Sequence, residues 1–178
     1  MTSSNETEFD SEVDAILRPR VGQYLVGAVE GRGVRVGLAC GRFNGGVTSR
    51  LIEGALLVLA ERGVDRNDIT IAWAPGAFEL PLVARGFALG GQVDVVITLG
   101  AVIRGDTGHY DVVAGECARG VQDVQLATGV PVVFGVLTTN TIEQALERSL
   151  PDETNKGRES AEAALEMVNL LRQRVFSS

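Results

Sequence analysis

The stretch Val93-Asp94-Val95-Val96-Ile97-Thr98-Leu99 is apolar and rich in β-branched side chains, and a glycine-containing segment follows it. Such a run is typical of a parallel strand that is buried on both faces. Gly105 and Gly108 let the backbone beyond the strand turn sharply and approach a ligand closely. His109, the only histidine, comes next. The stretch therefore predicts a buried strand that carries functional groups at its carboxyl end.

Strand and helix patterns alternate on both sides of this stretch. Apolar runs predict further strands at residues 34–39, 68–73 and 132–137. Periodic apolar positions predict helices at residues 47–62, 77–89, 112–128, 140–148 and 156–175, and Asn140 with Glu143 resembles a capping box. The alternation predicts an α/β fold, a three-layer αβα sandwich around a central four-stranded parallel sheet as in flavodoxin, with room for an extra N-terminal strand.

The composition predicts one acidic domain. The 178 residues are 45% hydrophobic, which is enough to bury one substantial core. Sixteen basic residues face 23 acidic ones, and the formal net charge of -7 argues against nonspecific nucleic-acid binding. We expect the polar residues 1–20 to form a disordered tail and residues 21–178 to form the domain.

The two cysteines and the hydropathy pattern indicate the compartment. Cys40 and Cys117 lie far apart without C-x-x-C spacing, so the sequence predicts two small core residues in a reducing environment rather than a disulfide or a zinc site. No signal-peptide pattern is present, and no apolar run approaches roughly 18 residues. We therefore expect a cytoplasmic protein without membrane contact.

Four segments reach the carboxyl edge of the predicted sheet, where α/β proteins bind ligands. They are residues 41–46, residues 74–79, the loop that leads to His109, and residues 138–140. The only lysine, Lys156, follows asparagine rather than glycine, so the chain has no Walker A loop. It also has neither a dinucleotide-binding fingerprint nor a G-x-S-x-G nucleophile elbow. A single histidine without clustered cysteines argues against catalytic zinc. These exclusions predict a pocket that uses neither a metal nor a cofactor.

Three side chains at this edge each allow two interpretations. The His109 imidazole could give and take protons near neutral pH, or it could only hydrogen-bond a loop. Phe43 could stack on a flat heterocycle, or it could be a core residue at a strand end. Glu79 could bind hydroxyl groups, or it could complement the dipole of the helix that it begins.

Five segments together resemble the 6,7-dimethyl-8-ribityllumazine synthase family. They are Gly41-Arg42-Phe43-Asn44, Trp73-Ala74-Pro75-Gly76-Ala77-Phe78-Glu79-Leu80-Pro81, the stretch from Leu99 to His109, Phe134-Gly135-Val136-Leu137-Thr138-Thr139, and Asn155-Lys156-Gly157. The resemblance covers residues 34–172. It implies condensation of 5-amino-6-(D-ribitylamino)uracil with 3,4-dihydroxy-2-butanone 4-phosphate to give the lumazine, phosphate and water. This is the penultimate step of riboflavin biosynthesis and needs no cofactor.

The resemblance also implies roles for individual residues, with His109 as the proton donor and acceptor. The pyrimidine and ribityl groups would be bound by Phe43, Ala77, Phe78, Glu79, Ala101, Val102, Ile103, Phe134 and Lys156. The phosphate would be bound by Asp106, Thr107, Gly108 and Arg148. Gly108 stands where many relatives have threonine or proline, and Asp106 brings a negative charge toward the phosphate.

The resemblance further implies self-association. Family active sites lie between neighbouring subunits of a pentamer, with Phe134 and Lys156 supplied by the neighbour. Pentamers of some relatives close into sixty-subunit shells, and association with riboflavin synthase is a further implied partner. Three alternatives stay open: a Schiff-base lyase that uses Lys156, a paralogous riboflavin synthase, and a non-catalytic flavin-binding protein.

Overall fold

Four parallel strands form the central sheet in the computed structural model, which describes residues 11–173 and residue 176. The strands are β1 (Val36–Gly41), β2 (Ile69–Ala74), β3 (Val95–Ile103) and β4 (Val132–Thr139). Their order is β2-β1-β3-β4, so the direction of winding reverses between β1 and β3. In open α/β sheets a crevice forms at this point, beyond the carboxyl ends of the strands.

Helices cover both faces of the sheet. Within the described residues they are α1 (Ser11–Leu17), α2 (Gly45–Glu61), α3 (Leu80–Gly90), α4 (His109–Thr128), α5 (Ile142–Glu147) and α6 (Lys156–Leu171). One hydrophobic core joins the sheet to α2, α5 and α6, and a second joins it to α3 and α4. The predicted three-layer sandwich with a four-stranded parallel sheet is therefore confirmed.

The strand β3 lies at the centre of both cores, as its apolar sequence predicts. Successive side chains of a strand point to opposite faces. Val95, Ile97 and Leu99 are fully buried on the α2 and α6 side. Val96 and Val102 are buried on the α3 and α4 side. The strand thus anchors the loop that follows Ile103.

Several predicted boundaries are wrong near the carboxyl edge of the sheet. β3 continues to Ile103 and β4 to Thr139, and the amide of Arg104 extends the pairing by donating to the Thr139 carbonyl at 2.9 Å. α4 begins at His109 rather than at residue 112. The predicted Asn140 capping box is also wrong, because Thr141 is the N-cap of α5 and accepts from the Gln144 amide at 3.2 Å.

The helix predicted for residues 77–89 is divided. A 3-10 turn (Ala77–Glu79) precedes α3, whose second residue is Pro81. Proline has no N–H group, so it cannot donate the hydrogen bond that would continue an α-helix back to Ala77. The predicted end of the last helix also differs, since α6 ends at Leu171 and residues 174–175 lie outside the described residues.

In the amino-terminal segment, residues 11–20 form α1 and a 3-10 turn (Arg18–Arg20). Residues 1–10 lie outside the described residues. No strand forms between residues 21 and 35 of the described chain. The side-chain amide of Asn169 instead donates to the carbonyls of Ala28 and Glu30, each at 2.8 Å, and holds this segment against α6.

The two cysteines are core residues, as predicted. Both Cys40 and Cys117 are buried and free. Burial raises the pKa of the Cys40 thiol to about 12 and that of Cys117 to about 11. Neither thiol is therefore a nucleophile at neutral pH.

Candidate active site

An open cleft of about 660 Å³ lies beyond the carboxyl ends of β1, β2 and β3. It occupies the crevice expected where the winding of the sheet reverses. Nine residues that the sequence analysis selected line it: Phe43, Ala77, Phe78, Glu79, Ala101, Val102, Ile103, Thr107 and His109. The cleft therefore brings together side chains from three strand ends and the start of α4.

Phe43 lies at the mouth of the cleft on the loop between β1 and α2. The Phe43 amide donates to the Pro75 carbonyl at 3.0 Å. Asn44 has a positive φ of 59° and donates from its side chain to the Ala101 carbonyl at 2.9 Å. Asparagine tolerates this left-handed conformation better than most residues. The Phe43 side chain is 73% exposed, so the interpretation as a core residue is wrong.

Glu79 closes the turn that follows β2. One of its carboxylate oxygens, Oε2, accepts from the Gly76 amide at 3.1 Å. The other, Oε1, accepts no hydrogen bond from the described residues, while the amides at the start of the Ala77–Glu79 turn have no acceptor within a helix. Glu79 thus supports the turn and still offers an acceptor beside unpaired donors.

His109 is the first residue of α4 and is exposed to the cleft. Its backbone amide donates to the Thr107 hydroxyl at 3.4 Å, and the Asp111 amide donates to the Gly108 carbonyl at 3.2 Å. Free N–H groups and the positive end of the helix dipole make a helix N-terminus favourable for an anion. The loop and the imidazole therefore combine an anion-binding backbone with a proton carrier.

A cluster of polar contacts surrounds Arg104, directly after β3. Its Nη2 and Nη1 donate to the two carboxylate oxygens of Asp111 at 2.9 and 3.2 Å, and its Nε donates to Asn140 Oδ1 at 3.2 Å. The guanidinium carbon lies 4.0 Å from the centre of the Tyr110 ring. The hydrogen bonds from Arg104 lower the pKa of the Asp111 carboxyl.

Gly105 also lines the cleft, as its expected approach to a ligand requires, and six further lining residues were not selected from the sequence: Asn44, Pro75, Gly76, Tyr110, Val112 and Val113. Tyr110 was missed because apolar periodicity placed the start of the helix at residue 112. Asn44 could have been selected, because an asparagine between a strand and two glycines is typical of a left-handed turn. Both residues fix the geometry of the cleft.

Five residues selected from the sequence do not line this cleft. Asp106 and Gly108 lie on the loop before His109 but outside the lining. The cleft lining also does not include Phe134, Arg148 or Lys156. Phe134 is 38% exposed on the edge strand β4.

Arg148 and Lys156 belong to one local structure. The Lys156 amide donates to the Arg148 carbonyl at 2.9 Å, and Lys156 Nζ lies 2.5 Å from Glu159 Oε1. Arg148 Nη1 donates to the Gln144 carbonyl at 3.1 Å. Arg148 thus lies beside Lys156 and does not line the cleft of its own chain.

Neither a metal centre nor a membrane segment is found in residues 11–173 and 176. No three side chains of histidine, cysteine, aspartate or glutamate come together as a metal site there. None of the helices in the same part of the chain combines the length and apolar character needed to cross a bilayer.

A sequence model of the 6,7-dimethyl-8-ribityllumazine synthase family matches residues 33–172. The match includes the whole sheet and every residue of the cleft, together with Phe134, Arg148 and Lys156. It leaves out α1 and the turn after it. The chain therefore belongs to the 6,7-dimethyl-8-ribityllumazine synthase family of transferases.

Proposed function

We propose that the chain condenses 5-amino-6-(D-ribitylamino)uracil with 3,4-dihydroxy-2-butanone 4-phosphate. The products are 6,7-dimethyl-8-ribityllumazine, phosphate and water. The observation that carries the proposal is that one cleft of this family member gathers an exposed Phe43, the Glu79 carboxylate and the His109 imidazole. These groups suit a flat ring, a hydroxylated chain and a proton transfer.

The pyrimidine and its ribityl chain would occupy the side of the cleft next to β1 and β2. The exposed ring of Phe43 offers a flat apolar face for stacking. Glu79 Oε1 and the amides of Ala77 and Phe78 offer an acceptor and two donors to ribityl hydroxyls. Val102 and Ile103 offer backbone groups at the end of β3, whereas the Ala101 carbonyl already accepts from Asn44.

The phosphate would occupy the opposite side, against the loop before α4. Thr107 offers a hydroxyl, and Gly105 lets the backbone approach the anion closely. The N-terminus of α4 adds its positive dipole. Asp106, on the same loop, brings a negative charge that opposes phosphate binding.

The reaction needs positioning and proton transfer rather than an enzyme-bound intermediate. The amine nitrogen of the uracil bonds to the ketone carbon, and the carbonyl oxygen leaves as water to give an imine. A proton then leaves the neighbouring carbon, and its electron pair expels phosphate from the next carbon. His109 is the base that accepts this proton. The enol that remains becomes a methyl ketone when a proton moves from its hydroxyl to the terminal carbon, and ring closure of the ribityl-bearing nitrogen on that ketone expels a second water.

The proposal includes a second copy of the chain at each site. Phe134, Arg148 and Lys156 lie outside the cleft of their own chain, as expected if a neighbouring subunit inserts them into it. A head-to-tail contact of this kind closes into rings, and we propose a pentamer. Because the Lys156 amide bonds to the Arg148 carbonyl, we assign Arg148 to the inserted group as well.

The remaining parts of the proposal concern the wider context. We propose that the protein acts in the cytoplasm without a cofactor, and that its partners are the two substrates and further copies of itself. Assembly of pentamers into a hollow shell, and association with riboflavin synthase, are extensions of the same proposal.

Turnover by the purified full-length protein tests the function. The two substrates together should yield the absorbance of the lumazine and one phosphate for each lumazine. Formation of riboflavin from supplied lumazine alone would instead identify a riboflavin synthase. A borohydride-trapped adduct on Lys156 would identify a Schiff-base enzyme, and flavin binding without turnover would identify a binding protein.

A further inference from the structure

We infer that Arg104 is a positioning residue that holds the first turn of α4, and with it His109 and Tyr110, in place over the cleft. Its effect on the reaction rests on the function proposed above, whereas its effect on the loop does not. Arg104 itself does not line the cleft. Arg104 would affect the cleft only by holding residues such as Tyr110 that line it.

The contacts of Arg104 join three separate segments. Asp111, which Arg104 binds through both carboxylate oxygens, belongs to the first turn of α4. Asn140 lies between β4 and α5, and the Arg104 amide bonds to Thr139 in β4. A planar guanidinium bound at both edges has a defined orientation, which a lysine at this position could not reproduce.

The loop between Arg104 and Asp111 needs such a constraint. The two residues are seven positions apart, and Gly105 and Gly108 lie between them, both in open space where a Cβ atom would meet nothing. Glycine has more backbone freedom than any other residue. Two backbone amides also donate within this loop, from His109 to the Thr107 hydroxyl at 3.4 Å and from Asp111 to the Gly108 carbonyl at 3.2 Å, but neither bond joins the loop to another segment.

Tyr110 extends the same constraint into the cleft. Its ring lies 4.0 Å below the guanidinium carbon of Arg104 and also lines the cleft. His109, the preceding residue, belongs to the same helical turn and carries the imidazole. A shift of that turn therefore moves the proton carrier and a wall of the cleft together.

Global stability is not the main role of this ion pair. Arg104 and Asp111 are both exposed, and exposed ion pairs contribute little to the free energy of unfolding. Catalysis, in contrast, is sensitive to misplacement of a reacting group by about 1 Å, which can lower the rate roughly 100-fold. Loss of the pair should therefore affect turnover far more than unfolding.

Three variants and one control test the inference in the full-length protein. The variants are Arg104→Gln, Asp111→Asn and the double variant. The control is Arg119→Gln, which removes another exposed arginine that pairs with two carboxylates, Glu116 and Asp123, on the same helix. Hydrogen exchange is measured by mass spectrometry on peptides that cover residues 105–113, and kcat and KM are measured for both substrates.

We expect exchange in these peptides to be several-fold faster in all three variants and unchanged in Arg119→Gln. We expect kcat to fall about 10- to 100-fold, with KM for the ribitylaminouracil nearly unchanged. The double variant should lose no more than the worse single variant, because both substitutions remove one interaction. Unchanged exchange and unchanged kcat would overturn the inference.

Two other outcomes would separate the positioning role from phosphate binding and from the proposed function. If Arg104→Gln raises KM for the phosphate substrate while Asp111→Asn does not, Arg104 is a phosphate ligand and the positioning role is wrong. If the wild-type protein turns over neither substrate, the proposed function fails, and the exchange data alone then support or overturn the constraint on the loop.

Discussion

Two arginine–aspartate pairs hold opposite edges of the sheet, and their surroundings give them different roles. Arg35 and Asp94 join the beginnings of β1 and β3 at the amino edge, and Arg104 and Asp111 follow the end of β3 at the carboxyl edge. Each pair is bidentate, and its shortest contact between the two side chains is 2.9 Å. The Asp94 side chain is only 20% exposed, whereas that of Asp111 is 64% exposed.

The amino-edge pair is the more extensively connected. Asp94 also accepts from the Arg35 amide at 2.8 Å and lies 3.2 Å from Arg172 beyond α6, and Arg35 donates to the Gly91 carbonyl at 3.0 Å. Burial raises the pKa of the Asp94 carboxyl, but hydrogen bonds from Arg35 and the charges of Arg35 and Arg172 outweigh it and leave the pKa below its ordinary value. Because the two pairs have similar geometry but different exposure, we infer that burial decides whether an arginine–aspartate pair stabilises the fold or only a loop.

The largest expected effect comes from the carboxyl edge, at His109. We expect His109→Ala to lower kcat about 100- to 10,000-fold, because a positioned acid–base group contributes this much. Thermal unfolding should not change, since the side chain is exposed. Turnover is measured with both substrates saturating, and the uncatalysed rate is subtracted. A folded variant with wild-type turnover would show that His109 does not transfer the proton.

The next effect in size separates the two substrates. We expect Arg148→Ala to raise KM for 3,4-dihydroxy-2-butanone 4-phosphate roughly tenfold or more, with little change in KM for the ribitylaminouracil. The guanidinium would bind only the phosphate, and the backbone bond to Lys156 survives the substitution. Equal losses for both substrates would indicate that Arg148 supports structure instead.

The smallest effect is expected at the amino edge and should appear in stability alone. We expect Asp94→Asn to lower the free energy of unfolding by about 1–2 kcal/mol at neutral pH, because the bonds of a half-buried carboxylate to Arg35 are lost. Turnover should not change. Denaturant unfolding and initial rates on the same samples check both statements. Reduced turnover with unchanged unfolding would show that Asp94 serves the reaction rather than the stability of the fold.

The lowered pKa of the Asp94 carboxyl determines how the stability difference between the wild type and Asp94→Asn depends on pH. A carboxyl whose pKa is lower in the folded than in the unfolded state stabilises the fold above its unfolded pKa. This contribution is lost as the pH falls below the ordinary value of 3.8 and through the folded pKa. The wild-type protein should therefore lose its advantage over Asp94→Asn in this acid range and keep it at higher pH.

The sequence predicted the fold well because burial dominates it. The apolar run at residues 93–99 has no alternative to a central strand, and its partners follow from the alternation of elements. Boundaries were less well predicted where packing overrides local pattern. His109, Tyr110 and Asp111 have no apolar periodicity, yet Arg104 binds two of them in the first turn of α4.

The site was predicted in part for a similar reason. Phe43, Glu79 and His109 follow three different strands, and the carboxyl ends of parallel strands meet at one edge. Arg148 was selected from the family resemblance alone, and its proximity to Lys156 depends on how residues 149–155 return to the sheet. No local pattern in the sequence encodes that return.

Mixed rings test whether a working site combines His109 of one subunit with Lys156 of the next. His109→Ala and Lys156→Ala proteins are unfolded and refolded together, and mass measurements verify that mixed rings form. Random mixing leaves about a quarter of the clefts without either defect. A matched control mixes His109→Ala with Glu79→Ala, two defects in the same cleft of one chain. We expect activity above the average of the parents for the first mixture and not for the second. A first mixture that only averages its parents would show that the site is not shared between subunits.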